Sequence, residues 1–455
     1  MKTIIEQITE KIKSQMENFF EIEGKSIAEI EKFFSEMFSE NFSAVVSAYY
    51  EKWDKELLAD KKARKKSQLV IERKNVPRDI LTNFGMLRYH RTYYYQKSEN
   101  AYVFPTDIMA NIQSYHRISQ STEYNLVAAA MTDSYRKASK YVTDNRVSKQ
   151  TVMNKIRNTY VPEEMVHVKR SVPYLHIDAD EDHIHLQNGG KPGIVPLISV
   201  YEGIKHVGKK NECINKFSIS AYGENISDIW DKVLAQIEDR YELENTKIYL
   251  HGDGATWIRA GLSWLPNAVF VLDQFHKNKA IKKSVANMKA QDGIQHQQRL
   301  RQALKNGDVR ELINIRNKMV ADYPECKKDI EKNIKYLYNN IDGISIRQRD
   351  PEANNGGATE PHVSHILSAR LSSRPMGWSK ETLEKFAPIL ASKRFAFGEP
   401  IKNSEIEYRR EQKEKAKRYI KNSLGLPDPD IAVSLADSVS GRVCGLYNAL
   451  RPFIY

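Results

Sequence analysis

Tyr174-Leu-His-Ile-Asp-Ala-Asp180 decides how this chain is read. Apolar Leu175, Ile177 and Ala179 alternate with polar His176, Asp178 and Asp180, the period-two pattern of a strand with one face in a core. Working outward, residues 171–275 read as strand (172–187), strand (194–202), strand (215–222), helix (226–241), strand (246–251), helix (255–264) and strand (268–272). Turn-forming stretches mark the breaks, at Asn188-Gly-Gly190, Pro192-Gly193 and Gly223-Glu-Asn225.

Three strands joined by hairpins, followed by helix-strand-helix-strand, is the order of an RNase H-like α/β fold with a mixed sheet. Such a fold carries one acid on its first strand, a second just after its fourth, and a third on a later helix. Asp178 holds the first of these places. Asp253, in Ile248-Tyr-Leu-His-Gly-Asp-Gly254, and Glu360, in Ala358-Thr-Glu-Pro-His-Val-Ser-His365, hold the others. Three carboxylates brought together from distant sequence suit a pair of divalent cations at a phosphodiester. Asp178 is the expected first member because it directly follows the apolar run. Asp180, on the same strand face, is the reserve ligand. Thr359 is a candidate cap and Pro361 suits the first turn of the third acid's helix. Singly, each acid is an ordinary cap or helix-start residue, so the weight rests on the three together.

The flanks divide by pattern. Residues 1–75 read as helices, with Ile4, Ile8, Ile12 and Met16 on one stripe and Ile27, Ile30, Phe34, Met37 and Phe38 on the next. Residues 76–160 read as a small sheet around Gly85–Tyr95 and then a helix-turn-helix-like region. In Val147–Arg157, Ser148 caps a helix whose Val152, Met153 and Ile156 face inward, leaving Lys149, Gln150, Asn154 and Arg157 to meet DNA. The catalytic core is expected over 171–275 and 350–384. Between its two parts, residues 276–349 look like an all-helical insertion. From His276 to Val320 it carries eleven Lys/Arg against three acids, which favours contact with a polyanion. Lys279, Lys282 and Lys283 are the expected DNA contacts there, and His276, in Asp273-Gln-Phe-His276, is expected to touch DNA or assist a leaving group. Residues 385–455 read as a basic helical C-terminal region that includes Arg409, Arg410, Lys413, Lys415, Lys417 and Arg418.

The net charge of +12 across 455 residues favours the same class of partner. The scattered Cys213, Cys326 and Cys444 offer neither a disulfide framework nor a paired zinc motif, which suits a reducing cytoplasm. No apolar run is long enough to span a membrane, and the N-terminus does not read as a signal peptide. Two weaker metal sites stand beside the main one. His176, Asp178, Asp180, Asp182, His183 and His185 could form a His/Asp site, though alternation splits them between two faces. His362 and His365 share a helix face and could take zinc, but lack companions.

At these residues the sequence resembles bacterial insertion-sequence transposases of the ISLre type, a DDE family related to the Mutator-like transposases. The motifs that carry the resemblance are Ile177-Asp-Ala-Asp-Glu-Asp182, His251-Gly-Asp-Gly-Ala-Thr-Trp-Ile258, Asp273-Gln-Phe-His276 and the long stretch Glu360–Ser379, with Asn83-Phe-Gly-Met-Leu87 near the N-terminus. The resemblance implies a DDE triad at Asp178, Asp253 and Glu360 that works with Mg²⁺, Mn²⁺ serving as substitute. It also implies binding to the element's terminal inverted repeats and to target DNA, as a homo-oligomer on DNA in the nucleoid. Pro361 departs from the pattern, which calls for a smaller residue after the glutamate. A metal-dependent nuclease without strand transfer, and a non-catalytic DNA-binding protein, are the alternative expectations.

Overall fold

The computed structural model describes residues 4–162, 168–187, 189–208 and 210–398, which form two compact units meeting in the chain after Lys155. The expected basic run from Arg409 to Arg418, with the rest of the C-terminal region past residue 398, lies outside the described residues.

In the first unit, α1 (Ile4–Phe20) leads to the long α2 (Ile27–Ala59), whose start is fixed by a capping box between Ser26 and Glu29. A short α3 (Lys61–Lys66) follows, and then a three-stranded antiparallel sheet of β1 (Leu69–Thr82), β2 (Gly85–Gln96) and β3 (Ala101–Val103). β1 begins inside the stretch expected to be helical. Leu69 and Ile71 there pack around Tyr94 with Leu57 and Trp53 of α2, so tertiary burial sets the strand start. The helices α4 (Pro105–Met109), α5 (Gln120–Thr132), α6 (Tyr135–Thr143) and α7 (Lys149–Arg157) complete this part of the chain.

The second unit is built on one five-stranded sheet. In chain order its elements are β4 (Thr159–Tyr160), β5 (Arg170–Ser171), β6 (Tyr174–Ile184), β7 (Gly193–Tyr201), a hairpin of β8 (Ile204–Val207) and β9 (Lys210–Cys213), β10 (Phe217–Ser220), α8 (Ile226–Arg240), β11 (Tyr241–Glu242), β12 (Lys247–Gly252), α9 (Thr256–Ala260) and β13 (Ala268–Leu272). The sheet order is β10-β7-β6-β12-β13. β6, β7 and β10 pair antiparallel, whereas β12 lies parallel to both β6 and β13. Pro196 is tolerated inside β7 because β10 ends opposite Leu197, so the missing N–H falls past the end of that pairing.

One face of the sheet carries Leu175, Ile177, Leu250 and Ile198, which pack on Ile229, Trp230 and Ile237 of α8. Full burial of each such side chain contributes about 1.5–3 kcal/mol. Five helices follow the last strand: α10 (Gln274–Ser284), α11 (Ala290–Asn306), α12 (Val309–Asp322), α13 (Lys327–Asn339) and α14 (Ile341–Arg349). They are not a separate body. Ile281, Leu300, Leu312, Ile334 and Ile344 join the same core as the strands. On the other sheet face, residues 351–358 lead into α15 (Thr359–Val363), a π turn over Ser364–Ser368 and α16 (Ala369–Leu371). α17 (Lys380–Ser392) packs against β10, and β14 (Ala396–Phe397) closes on β4.

Candidate active site

Parallel pairing of β6 with β12 sets Ile177 beside Leu250 and Asp178 beside His251. The ladder ends at that pair; continued by two residues on each side it would bring Asp253, just past the end of β12, level with Asp180. The strands stay close beyond the last ladder pair, since a Cβ on Gly252 would meet the Ala179 carbonyl oxygen at 3.0 Å. Electrostatics agree. Burial pushes the Asp180 carboxyl up to about 6, and Asp253 and Glu360 push the same way, opposed by the Glu181 N–H and by His276. Asp180 thus feels the charges of both Asp253 and Glu360.

Asp178 is placed otherwise than expected. It sits one pair deeper and is only 2% exposed. Its Oδ2 accepts from the Tyr201 hydroxyl at 3.0 Å and from the Ala358 N–H at 2.9 Å, and lies 3.1 Å from His362 Nδ1. It anchors the segment that delivers Glu360. The end of the apolar run suggested Asp178 as the first acid, with Asp180 in reserve; the strand pairs Asp178 itself with His251.

Each acid of the trio is held by its local backbone. Asp253 Oδ1 accepts from the Ala255 N–H at 2.8 Å, and its carbonyl accepts from the Tyr336 hydroxyl at 2.6 Å. Gly254 turns the chain at φ +89°, where a Cβ would lie 2.5 Å from Asn340 Oδ1. Glu360 is exposed in the first turn of α15. Thr359 does not cap that helix: Ala358 holds the cap position, and the buried Thr359 hydroxyl makes no hydrogen bond. The widened π turn follows at once, a local device common at functional sites.

His276 joins this group from α10. Asp273 caps that helix, its Oδ2 accepting from the N–H groups of Phe275 at 2.8 Å and His276 at 3.2 Å, and it lies 3.2 Å from His276 Nδ1. The hydrogen bond to Asp273 raises the imidazole pKa against the cost of burial, and the charges of Asp180 and Asp253 raise it further.

Under the site lies a polar layer that the sequence did not announce. His176 Nδ1 is 3.1 Å from His251 Nε2, and His176 Nε2 is 3.3 Å from Glu352 Oε1. Burial holds both imidazoles below their ordinary pKa. Gly356 passes so close that a Cβ would sit 2.4 Å from His176 Nδ1 and 2.5 Å from His251 Nε2. Asp350 accepts from the Tyr249 hydroxyl at 2.7 Å and from Lys247. These contacts fasten the segment 350–358 to the strands.

The weaker metal sites disperse. Asp182 accepts from the Ser372 hydroxyl, His183 and His365 point into solvent, and His362 is buried between Asp178 and Cys213. Among the described residues no three His, Cys, Asp or Glu side chains stand close enough to hold an ion as they are. The trio is nevertheless an all-oxygen donor set whose mutual repulsion a cation would relieve, so its chemistry fits a hard divalent ion.

Of the expected DNA contacts, Lys149, Gln150 and Asn154 are exposed on α7, and Lys279, Lys282 and Lys283 on α10. Arg157 is engaged elsewhere. Its guanidinium donates to Thr382 Oγ1 at 3.0 Å and Ser379 Oγ at 2.9 Å, and pairs with Glu381 at 2.8 Å, so it fastens the start of α17. Among the described residues, no helix is long and apolar enough to cross a membrane.

The profile of an uncharacterised protein family, UPF0236, matches residues 21–423. The chain belongs to UPF0236. A UPF0236 protein of Caldanaerobacter subterraneus subsp. tengcongensis is 33% identical over 383 residues, 82% of this chain and 80% of the relative, and its name joins eleven locus designations of that strain. A second from the same strain, whose name joins four loci, is 33% identical over 371 residues, covering 80% and 77%. A UPF0236 protein of Streptococcus gallolyticus, named for its position 3′ of vanSb, is 23% identical over 394 residues, covering 82% and 84%. The UPF0236 match takes in every residue of the acidic trio and its surroundings.

Proposed function

We propose that this UPF0236 chain is a DNA transposase of the ISLre-type DDE class, with an RNase H-like core, and that Asp180, Asp253 and Glu360 are its three acids. The observation that carries the reading is the register that, continued two residues past the end of the ladder, sets Asp180 level with Asp253, while Asp180 also feels the charge of Glu360. The strand order β10-β7-β6-β12-β13, with its antiparallel first half and parallel second half, is the order expected of an RNase H-like sheet. The relatives add support of another kind. One protein under eleven locus designations in a single strain is the trace that a self-copying DNA element leaves. The positive net charge suits a DNA substrate.

In this reading Asp180, Asp253 and Glu360 would hold Mg²⁺, or Mn²⁺ in its place. The chemistry that a bound divalent ion supplies is Lewis-acid stabilisation of charge at an in-line displacement on phosphorus. In cleavage a water oxygen forms a bond to phosphorus as the bond to the 3′ oxygen breaks, freeing a 3′-hydroxyl. In joining, the oxygen of that hydroxyl forms a bond to a target phosphorus as the target's own bond from phosphorus to its 3′ oxygen breaks, and the proton passes to leave a 3′-hydroxyl on the target strand. His276, held by Asp273, is placed to meet phosphate charge beside the acids. The segment fastened by Asp178, Tyr201 and Glu352 keeps Glu360 in place for the reaction. The test is metal-dependent nicking and joining of DNA from the flanks of the chain's own gene, lost in Asp180→Asn, Asp253→Asn and Glu360→Gln. Nicking without a 3′-hydroxyl-dependent joined product would favour a nuclease of the same core.

A further inference from the structure

Behind the helix that carries His276 lies a cavity of about 380 Å³ that no part of the proposed reaction uses. Gln274 and Lys277 of α10, Arg301 and Lys305 of α11, and Arg347 of α14 line it, over a floor of Ile281, Leu304 and Ile344. Its charge is one-sided. No carboxylate lines it, and among the described residues Lys277, Arg301 and Lys305 have no acidic partner. Arg301 and Lys305 stand exposed at its rim, whereas Lys277 and Arg347 are half-buried within it. Here burial, with Arg347 and Arg301 adding to it and Asp273 opposing, pulls the Lys277 ammonium below its ordinary pKa. Arg347 is fixed, donating to the Ala353 carbonyl at 3.0 Å and the Leu272 carbonyl at 3.3 Å, while its Nε is buried without a partner. The cations are thus gathered around one cavity, with Arg347 preorganised there. Arg347 also reaches the segment that delivers Glu360, since a Cβ on Gly357 would lie 3.3 Å from its Nη2, and Gln274 directly follows the Asp273 that caps the helix of His276.

We propose that this cavity seats a backbone phosphodiester of the DNA strand whose scissile bond lies at Asp180, Asp253 and Glu360. The assignment rests on the proposed reaction, since Arg347 ties the cavity to the segment that delivers Glu360, but its test is a binding measurement. Three helices of the insertion supply the cations, and all three share the sheet's core, so the seat is rigidly referenced to the acids.

The experiment measures affinity of the full chain for a duplex from its gene's flank, across a salt series. The wild type is compared with K277Q/R301Q/K305Q and with K327Q/K328Q/K332Q, which removes the same charge from the exposed side of α13. Each lost phosphate contact flattens the log–log salt slope by about 0.9. The cavity variant is expected to lose one to two such contacts and about tenfold or more in affinity, with the α13 variant close to wild type. K305Q alone, at an exposed position, guards against misfolding of the triple variant and is expected to shift in the same direction. Equal slopes in the two triple variants would overturn the seat. Pyrophosphate binding lost in the cavity variant while duplex binding is unchanged would assign the cavity to a free phosphate and overturn the DNA assignment. No salt-sensitive duplex binding by the wild type would overturn both seat and reaction. Normal, cavity-dependent binding without metal-dependent cleavage would overturn the reaction alone and support the seat.

Discussion

Asp253 lies two residues beyond His251, the partner of Asp178, so the same register, continued past the end of β12, brings it level with Asp180. That relationship separates two aspartates that share a strand face and a motif. One is hydrogen-bonded into the protein by Tyr201 and Ala358, and the other feels the charges of Asp253 and Glu360.

Substitution at the two positions should therefore give different phenotypes. Asp180→Asn is expected to leave the fold intact and to lower metal-dependent cleavage by two or more orders of magnitude. Asp178→Asn disturbs a buried acceptor of two hydrogen bonds and is expected to cost about 1–3 kcal/mol of stability. Denaturant unfolding and a cleavage assay on both variants check this. Full cleavage by Asp180→Asn would return the first place to Asp178.

The raised Asp180 pKa makes a signed prediction. A carboxyl that titrates near 6 in the folded chain and near 3.8 in the unfolded one binds more protons when folded across that window. Its contribution to stability without metal is then lost as pH rises from about 4 to about 6. The buried His176 and His251 act in the opposite sense, their depressed pKa values making stability fall as the pH drops below about 6.5. The informative quantity is the difference between wild type and Asp180→Asn. The wild type should lose stability relative to the variant between pH 4 and 7, and Mg²⁺ should restore it more at pH 7 than at pH 5. Thermal melts with and without Mg²⁺ measure it, and parallel pH curves for the two proteins would contradict it.

Gly356→Ala places a methyl group within 2.5 Å of both buried histidines. The expected cost is about 1–3 kcal/mol by overpacking. Because Gly356 lies four residues before Glu360, cleavage should fall more than duplex binding does. Equal losses of both would mean that the segment does not position the glutamate.

Arg157→Ala should lower the melting temperature by a few degrees, through its lost bonds to Ser379 and Thr382, and leave the salt slope of DNA binding unchanged. Lys149→Ala should do the reverse. A flattened salt slope in Arg157→Ala would restore it as a DNA contact.

What the sequence discloses follows from where the information is local. The alternation in Tyr174–Asp180 and the turn residues around Gly189 and Gly193 locate β6 and β7 because strand period and turn chemistry are written into neighbours. The helical character of residues 276–349 is legible for the same reason. The hairpin of β8 and β9 is not, since Lys205, His206 and Val207 are exposed and show no alternation. The choice between Asp178 and Asp180 depends on pairing with a strand some seventy residues away, and the role of Arg157 on partners beyond residue 378. Lys277, Arg301 and Arg347 come from three helices, so the charge is legible in the sequence but the cavity is not.

The most direct test incubates the purified chain with end-labelled DNA from the flanks of its own gene, with and without Mg²⁺ or Mn²⁺, beside Asp180→Asn and Asp253→Asn. The account predicts metal-dependent nicks at a defined boundary, joined products that need a free 3′-hydroxyl, and neither in the variants. Binding without any metal-dependent nick, or nicks that persist in both variants, would contradict it.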